Sequence, residues 1–478
     1  MKTWKLVSLM AAAMLAAGAA QATNGYLTDG VGVKSDGLAG AGSADPKEVM
    51  VIATNPAGLA FVPDRLEVGL SLFSPIRSYS TSPSLANGHG GAFTIGPNSI
   101  DSGDKLFPIP YIAANWQIDP SDSIAVAFYA RGGMNTVWQG GTATFAPGPG
   151  AAPVTLPGTY GDGTAGVDLM QGFLNFTIAH ASLDRQLSVG ASAILAMQRF
   201  VARGVGNFAP YTETFAASGG TVMPTALSNN GAEMSYGGGA SLGVEWHPLP
   251  EFSAAAAYTT KMYMSRLTKY ADLFAQHGAF DIPANATLGV TYRPSPPIAL
   301  DLDVQKIWYS GVPAVSNPIS NLFSCPTTGA PGLNFQNCLG GESGPGFGWR
   351  DMTVFKFGVS WALNEDWTGR IGFSHARQPI PNSEATFNIL APGVIEDHIA
   401  VGFTRHLANR GEFDMAFTYA PEKTVSGPNT FDPTQTISFR MHSTSWISGT
   451  PGRASGAQAG DRTVSARLPR VRAGATDR

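Results

Sequence analysis

The chain has 478 residues, a formal net charge of −4 and only 13% charged residues, about half the roughly 25% of an ordinary soluble protein. Hydrophobic residues make up 44% and there are 57 Gly, so small neutral residues replace the missing charge, which excludes a helical membrane protein with spans of about 18 apolar residues. A nucleic-acid binder would need a basic excess, and 26 Phe, 13 Tyr and 9 Trp argue against disorder; what remains is a large all-β protein, secreted or set in a membrane as a barrel.

Met1 to Ala22 reads as a secretory signal peptide, with Lys2 and Lys5 before an apolar run from Leu6 to Ala17 and a small-x-small cleavage site at Ala20-Gln21-Ala22. Residues 23–63 follow, Gly/Ala-rich and without a clean strand. Val49, Ile52, Leu59, Phe61 and Val62 would suit a solvated tail poorly, so this segment is expected to plug the lumen of a barrel. Residues 64–442 break into segments of about ten residues with period-two alternation, as expected where one strand face meets lipid and the other a polar lumen. Leu300, Leu302 and Val304 alternate with Asp301, Asp303 and Gln305, and Phe413, Met415, Phe417 and Tyr419 with Glu412, Asp414, Ala416 and Thr418. A soluble sandwich would alternate too, but it has no reason to sort its connections by length. Here tight turns (Asp119 to Asp122, Leu183 to Gln186, His247 to Glu251, Arg293 to Pro297, Asn364 to Asp366, Ala408 to Gly411) alternate with long connections. The long ones are Ser78 to Asp104, Gly140 to Gly166, Gly204 to Asn230, Thr268 to Phe280, Gly311 to Arg350, Gln378 to Pro392 and Pro421 to Thr434. That asymmetry predicts an outer-membrane β-barrel of about fourteen antiparallel strands, with clipped periplasmic turns and extended outer loops.

The third loop carries Phe208, Tyr211 and Phe215, and in the fourth Leu267, Tyr270, Ala271 and Phe274 fall at helical spacing, predicting an amphipathic helix. Two apolar loop surfaces facing one another would make a capture groove for an alkyl or aromatic ligand; alternatively they pack the loops onto the rim. Cys325 and Cys338 fit an oxidising compartment and a disulfide stapling one loop, since a zinc site would need more ligands nearby. Asp301, Asp303 and Lys306 could suggest acid/base or metal chemistry, but the two aspartates fall on the lumen face, where polar residues are the default. The chain has neither a His-x-x-x-His pair nor a Gly-x-Ser-x-Gly elbow. A closing strand begins at Gln435, with Ile437, Phe439 and Met441 alternating against Ser438 and Arg440, and the pattern then dissolves. Residues 443–478 read as a basic, disordered tail, which puts closure against the first strand in question.

Asn55-Pro56-Ala57-Gly58-Leu59 resembles the plug motif of the FadL-type long-chain fatty acid and hydrocarbon transporters of bacterial outer membranes. Thr23-Asn24-Gly25-Tyr26, Gly37 to Gly42, Gly132-Gly133-Met134-Asn135-Thr136, Gly346 to Asp351 and Ile389 to Gly393 are similar to family segments in the same order. The resemblance implies a fourteen-strand barrel with an N-terminal hatch, passive uptake of hydrophobic molecules through an outer groove and a lumen pocket, and sideways exit beside an inward-kinked third strand. It also implies no catalysis and no cofactor; the expected partners are the hydrophobic ligand, outer-membrane lipid and lipopolysaccharide, and the barrel-assembly machinery, with the chain acting as a monomer. The third strand is expected over Asp122 to Trp138, and its Gly132-Gly133 pair has an independent rationale, because glycine within a strand permits a bulge or an unpaired stretch. The bland reading is that the pair ends the strand at the rim. A general or polar-solute porin is the alternative function, and an enzyme barrel the third.

Overall fold

The computed structural model describes residues 24–148, 150–326, 333–407 and 411–452; the expected signal peptide lies outside them. The strands in chain order are β1 (Arg65–Thr81), β2 (Phe107–Gln117), β3 (Asp122–Asn135), β4 (Gly166–Ala181), β5 (Leu187–Arg203), β6 (Glu233–Leu249) and β7 (Phe252–Thr259), followed by β8 (Asn285–Ser295), β9 (Ile298–Ile307), β10 (Met352–Ala362), β11 (Trp367–Ala376), β12 (Asp397–His406), β13 (Glu412–Asn429) and β14 (Asp432–Gly452). Each pairs antiparallel with its neighbours, and β14 returns to β1 in a ladder from Leu66 opposite Gly452 to Thr81 opposite Ile437, closing a fourteen-strand barrel. Closure leaves no edge along that seam, as lipid requires.

Alternation follows the expected faces. On β9, Asp301, Asp303 and Gln305 are buried in the lumen while Leu302 turns outward; on β10, Phe355, Phe357 and Trp361 face out and Lys356 and Ser360 face in. Residues 24–63 lie largely inside the barrel as a plug, whose Val49, Met50, Ile52 and Leu59 form an apolar cluster with Tyr111, Ala127, Tyr129 and Ile194 of the wall.

Three expectations need correction. The closing strand does not dissolve after Met441: it runs on to Gly452, with Ser443, Ser445 and Gly449 facing the lumen and Thr444, Trp446 and Ser448 turned away. Small hydroxyl residues on both faces conceal the alternation, while the β1 and β13 ladders supply the backbone partners; residues 453–478 of the expected tail lie outside the described ones. Pro421 to Thr434 is not a long connection, because β13 and β14 form a projecting hairpin turned at Thr430 and Phe431. Pro421, which cannot donate to a ladder, is accommodated by a register shift between Ala420 and Lys423. Finally, Leu267 to Phe274 is no continuous amphipathic helix. A single 3₁₀ turn spans Thr268–Tyr270, and the chain then reverses through left-handed Gln276 and His277, whose N–H groups bond to the carbonyls of Gly341 and Gly340.

Candidate functional site: an apolar pocket above a broken strand pair

The outer loops fold inward over the plug and line a small apolar pocket that is partly open to solvent, of the kind that takes a small molecule. Val167 and Phe200 supply the wall at the tops of β4 and β5; Phe208, Leu227, Phe274, Phe347, Phe387 and Leu390 come from loops, and every lining residue is apolar or glycine. Local hydrogen bonds hold these loops in place. The Thr212 hydroxyl accepts from the Phe215 N–H at 3.3 Å, and Asp272 accepts from the Ala226 N–H at 3.0 Å and from the Thr214 hydroxyl at 2.5 Å. Cys325 and Cys338 form a disulfide, with Cα atoms 4.9 Å apart, beside Ala216.

Of the six loop residues singled out from sequence, Phe208 and Phe274 line this pocket. Tyr270 stands one layer behind, its ring edge-on to Phe200 at 4.9 Å. Leu267 is fully buried against the Gly278 backbone, Tyr211 packs on Phe431 at 5.8 Å, and Phe215 lies over Gly220. Phe347, Phe387 and Leu390 lie in the family-like segments or beside them, but no local periodicity marks them as lining, because they meet only when separate loops converge.

Below the pocket the barrel wall is broken. The ladder between β2 and β3 runs from Gln117 opposite Ser123 to Ile112 opposite Phe128 and stops. On that side of Phe107–Tyr111 no barrel strand pairs, among the described residues. β3 bulges at Arg131, where its register against β4 shifts between Ala130 and Gly132. Beyond the bulge the freed edge pairs with the plug: the Thr28 N–H donates to the Arg131 carbonyl at 3.1 Å, and the Gly133 N–H to the Tyr26 carbonyl at 2.9 Å. A side chain at Gly132 would overlap the Gln171 amide. Met134 packs inward and Asn135 donates to Asp168 at 2.6 Å. Trp138 lies past the end of β3, held by a single bridge to Ser102 and another to Ala165.

β2 is built for this gap. The Ile118 N–H bonds toward β3 at Asp122, while that of Gln117 bonds to Asp64 beside β1, so even-numbered donors of the strand face β3. Pro108 and Pro110 occupy even positions, opposite Leu72 and Leu70 of β1, and their missing donors face the gap.

A cluster of rings holds the N-terminal segment at the gap. Tyr309 accepts from the Tyr26 N–H at 3.2 Å and donates to the Asn24 carbonyl at 2.5 Å, clamping both ends of one turn. Burial pushes its phenol above the ordinary value, so it remains a neutral donor. The ring stands edge-on to Trp349 at 5.3 Å, and the Trp349 indole donates to Asn388 at 2.6 Å, one residue after the pocket-lining Phe387.

The rest of the plug is tied around the lumen. Asn55 accepts from the Ala57 N–H at 3.1 Å and donates to the Ser43 carbonyl and to Glu245 of β6, both at 3.0 Å. Pro56 opens the 3₁₀ turn that contains Gly58, and Ser188 of β5 donates to the Ala57 carbonyl at 2.7 Å. Side chains at Gly190 or Gly243 of the wall would overlap this motif, and one at Gly372 would overlap the Leu38 backbone. Asp303 accepts from the Ser43 N–H at 2.9 Å, Arg293 pairs with Asp45 at 2.9 Å, Lys47 with Asp301 at 3.4 Å and Lys34 with Glu412 at 2.5 Å. Asp301 and Asp303 therefore anchor the plug rather than merely line a water-filled lumen.

The chain's fold is similar to that of several solved structures. The toluene transporter TodX of P. putida superposes with a TM-score of 0.58 at 12% identity, over 90% of this chain and 100% of that one. A Pseudomonas aeruginosa FadL homologue gives 0.59 at 15% identity, over 90% and 99% of the two chains. The Ralstonia pickettii toluene transporter TbuX gives 0.54 at 16%, over 89% and 99%. At these identities the likeness establishes the fold. No curated protein sequence matches the chain. The family model described as "Outer membrane protein transport protein (OMPP1/FadL/TodX)" matches residues 9–454, and the chain belongs to that family of bacterial outer-membrane transport proteins.

Proposed function

We propose that this chain carries out passive uptake of hydrophobic compounds, long-chain fatty acids or related hydrocarbons, which bind in the outer apolar pocket and leave sideways into the membrane between β2 and β3. The observation that carries this reading is the loss of pairing above Ile112 and Phe128, beneath a pocket with no charged lining residue. Burying about eight methylenes at ~0.8 kcal/mol each supplies roughly 6 kcal/mol before association costs. Such a ligand is retained but not trapped. Passing from the lumen into lipid also spares it a return to water.

The test combines uptake with binding. Replacing Gly132 and Gly133 with Val should lower uptake of a radiolabelled alkane or fatty acid by cells at least several-fold while leaving binding to the purified barrel unchanged; undiminished uptake would count against lateral exit. The porin alternative meets a lumen filled by a plug tied to six or more strands, and a large steady single-channel current through the intact protein would favour it instead.

A further inference from the structure

We propose that Lys306, Arg350 and Arg377, at or just beyond the long-loop ends of β9, β10 and β11, form a docking surface for the phosphate groups of outer-leaflet lipopolysaccharide. The inference goes beyond the transport reading and rests only on the barrel's place in the outer membrane. The ladders set these residues in a row across the wall. Tyr258 of β7 stands opposite Ala286 of β8, Ala286 opposite Lys306, and Lys306 opposite Thr353 of β10. One step beyond the last pair of the next ladder, Val354 opposite Ala376, Arg377 falls beside Thr353. Lys306 shares the outward face of β9 with Leu302 and Val304, and Arg377 follows Ile371, Phe373 and His375 on that of β11. The Arg350 N–H bonds to the Pro379 carbonyl at 2.9 Å, which brings the third cation to the same rim. Arg350 and Arg377 are both exposed.

The height of this row is that of a headgroup layer. Trp361, exposed beside the tight turn at the other end of β10, lies eight residues from Thr353. At ~3.4 Å per residue along a strand tilted by ~40°, that is about 20 Å along the membrane normal, close to the ~25 Å apolar band of such barrels. Tyr258 and Trp308, their rings 6.0 Å apart, mark the upper aromatic girdle beside Lys306. Neighbouring basic side chains are paired within the protein: Lys261 with Asp281 at 3.0 Å, His375 with Asp397 at 2.7 Å, and Arg199 with Asp168. Among the described residues, by contrast, no carboxylate lies within 4.0 Å of Lys306, Arg350 or Arg377. The Lys306 ammonium reaches the Thr353 hydroxyl at 3.4 Å, and the nearby Asp351 carboxylate is engaged by the Ser310 N–H at 2.9 Å. Three cations without counter-charge on adjacent strands complement a phosphorylated glycolipid, since the guanidinium forks suit phosphate oxygens. Below them the exposed rings of Phe355 and Phe373 are placed to meet its acyl chains.

The test is native mass spectrometry of the purified full-length barrel, in uncharged detergent, titrated with lipid A carrying both phosphates and with lipid A stripped of them. A cation at a membrane surface is worth about five-fold in attraction to anionic lipid, so the native protein should bind the phosphorylated form at least about ten-fold tighter. Lys306→Gln, Arg350→Gln and Arg377→Gln together should remove that preference and leave the affinity for stripped lipid A unchanged. Arg405→Gln, at the opposite end of the wall on β12, should alter neither. Equal affinity of the native protein for the two lipids overturns the docking surface, and this comparison needs no variant to fold. A triple variant that keeps the preference overturns it as well, because the phosphates then sit elsewhere. So does loss of the preference in excess inorganic phosphate at constant ionic strength, which would mark an isolated anion site rather than a lipid surface. The transport reading stands under each of these outcomes.

Discussion

At the scale of single residues, the lumen face of the wall is shaped as the negative of the plug. Gly190 and Gly243 sit where the Asn55–Gly58 turn presses against β5 and β6, and neither position tolerates a Cβ without displacing backbone or amide. Gly190→Val should therefore destabilise the docked plug by about 1–3 kcal/mol, as overpacking does in other cores, and should be read as a lower unfolding temperature together with a raised ion conductance. Tyr309 makes a second, finer prediction. Tyr309→Phe removes both bonds of the clamp and leaves the Tyr26 N–H and the Asn24 carbonyl without that partner, at about 1–3 kcal/mol. Faster hydrogen exchange at Tyr26 and Thr28, with β9 unchanged, is the expected signature. The Asn-Pro-Ala motif was legible because it is local, whereas the glycines and Tyr309 were not. Their partners lie far along the chain, and a lone strand glycine or loop tyrosine carries no mark of what will pack on it.

At the scale of elements, alternation and turn length exposed the strand count and the position of β3, since both depend on neighbours two to ten residues away. Long-range partners decided the rest. Leu267, Tyr270 and Phe274 share a helical period and are all buried, yet the helix does not continue: just past Phe274, Gly340 and Gly341 of another loop accept the N–H groups of left-handed His277 and Gln276. β14 persists past Met441 although hydroxyl residues on both of its faces blur the alternation, because β1 and β13 already present complete edges to it. A chain ending after Gly452 should migrate on a gel as the same heat-modifiable, folded barrel as the full chain. One ending after His442 would lose the pairs from Leu66 through Pro75 on β1 and should fail to fold, since unpaired backbone facing lipid costs several kcal/mol per group.

At the scale of the whole molecule, the low charge content now has a location. Several charged residues on the lumen side are spent in pairs between plug and wall, such as Lys34 with Glu412 and Arg293 with Asp45, and the outward faces carry mainly apolar side chains and few charges. The intact barrel should accordingly be nearly silent in single-channel recordings. Removing residues 24–62 should give a large, steady current, because fourteen strands enclose a lumen wide enough to conduct once emptied; a silent truncated barrel would mean that the inward-folded loops, not the plug, form the ion barrier.

Pro108 and Pro110 also settle what cannot happen at the side of the barrel. A strand rim left bare in a crowded membrane is a template: it could zip onto β3 and seal itself, or recruit an extended segment of another protein. With two successive donors deleted from the rim that faces the gap, neither partner finds a full ladder there. In the lateral exit proposed above, the opening thus needs no moving door in the wall. It is kept from healing by chemistry written into β2, and restoring the donors with Pro108→Ala and Pro110→Ala should let the seam close, yielding a more heat-resistant barrel that takes up its ligand more slowly.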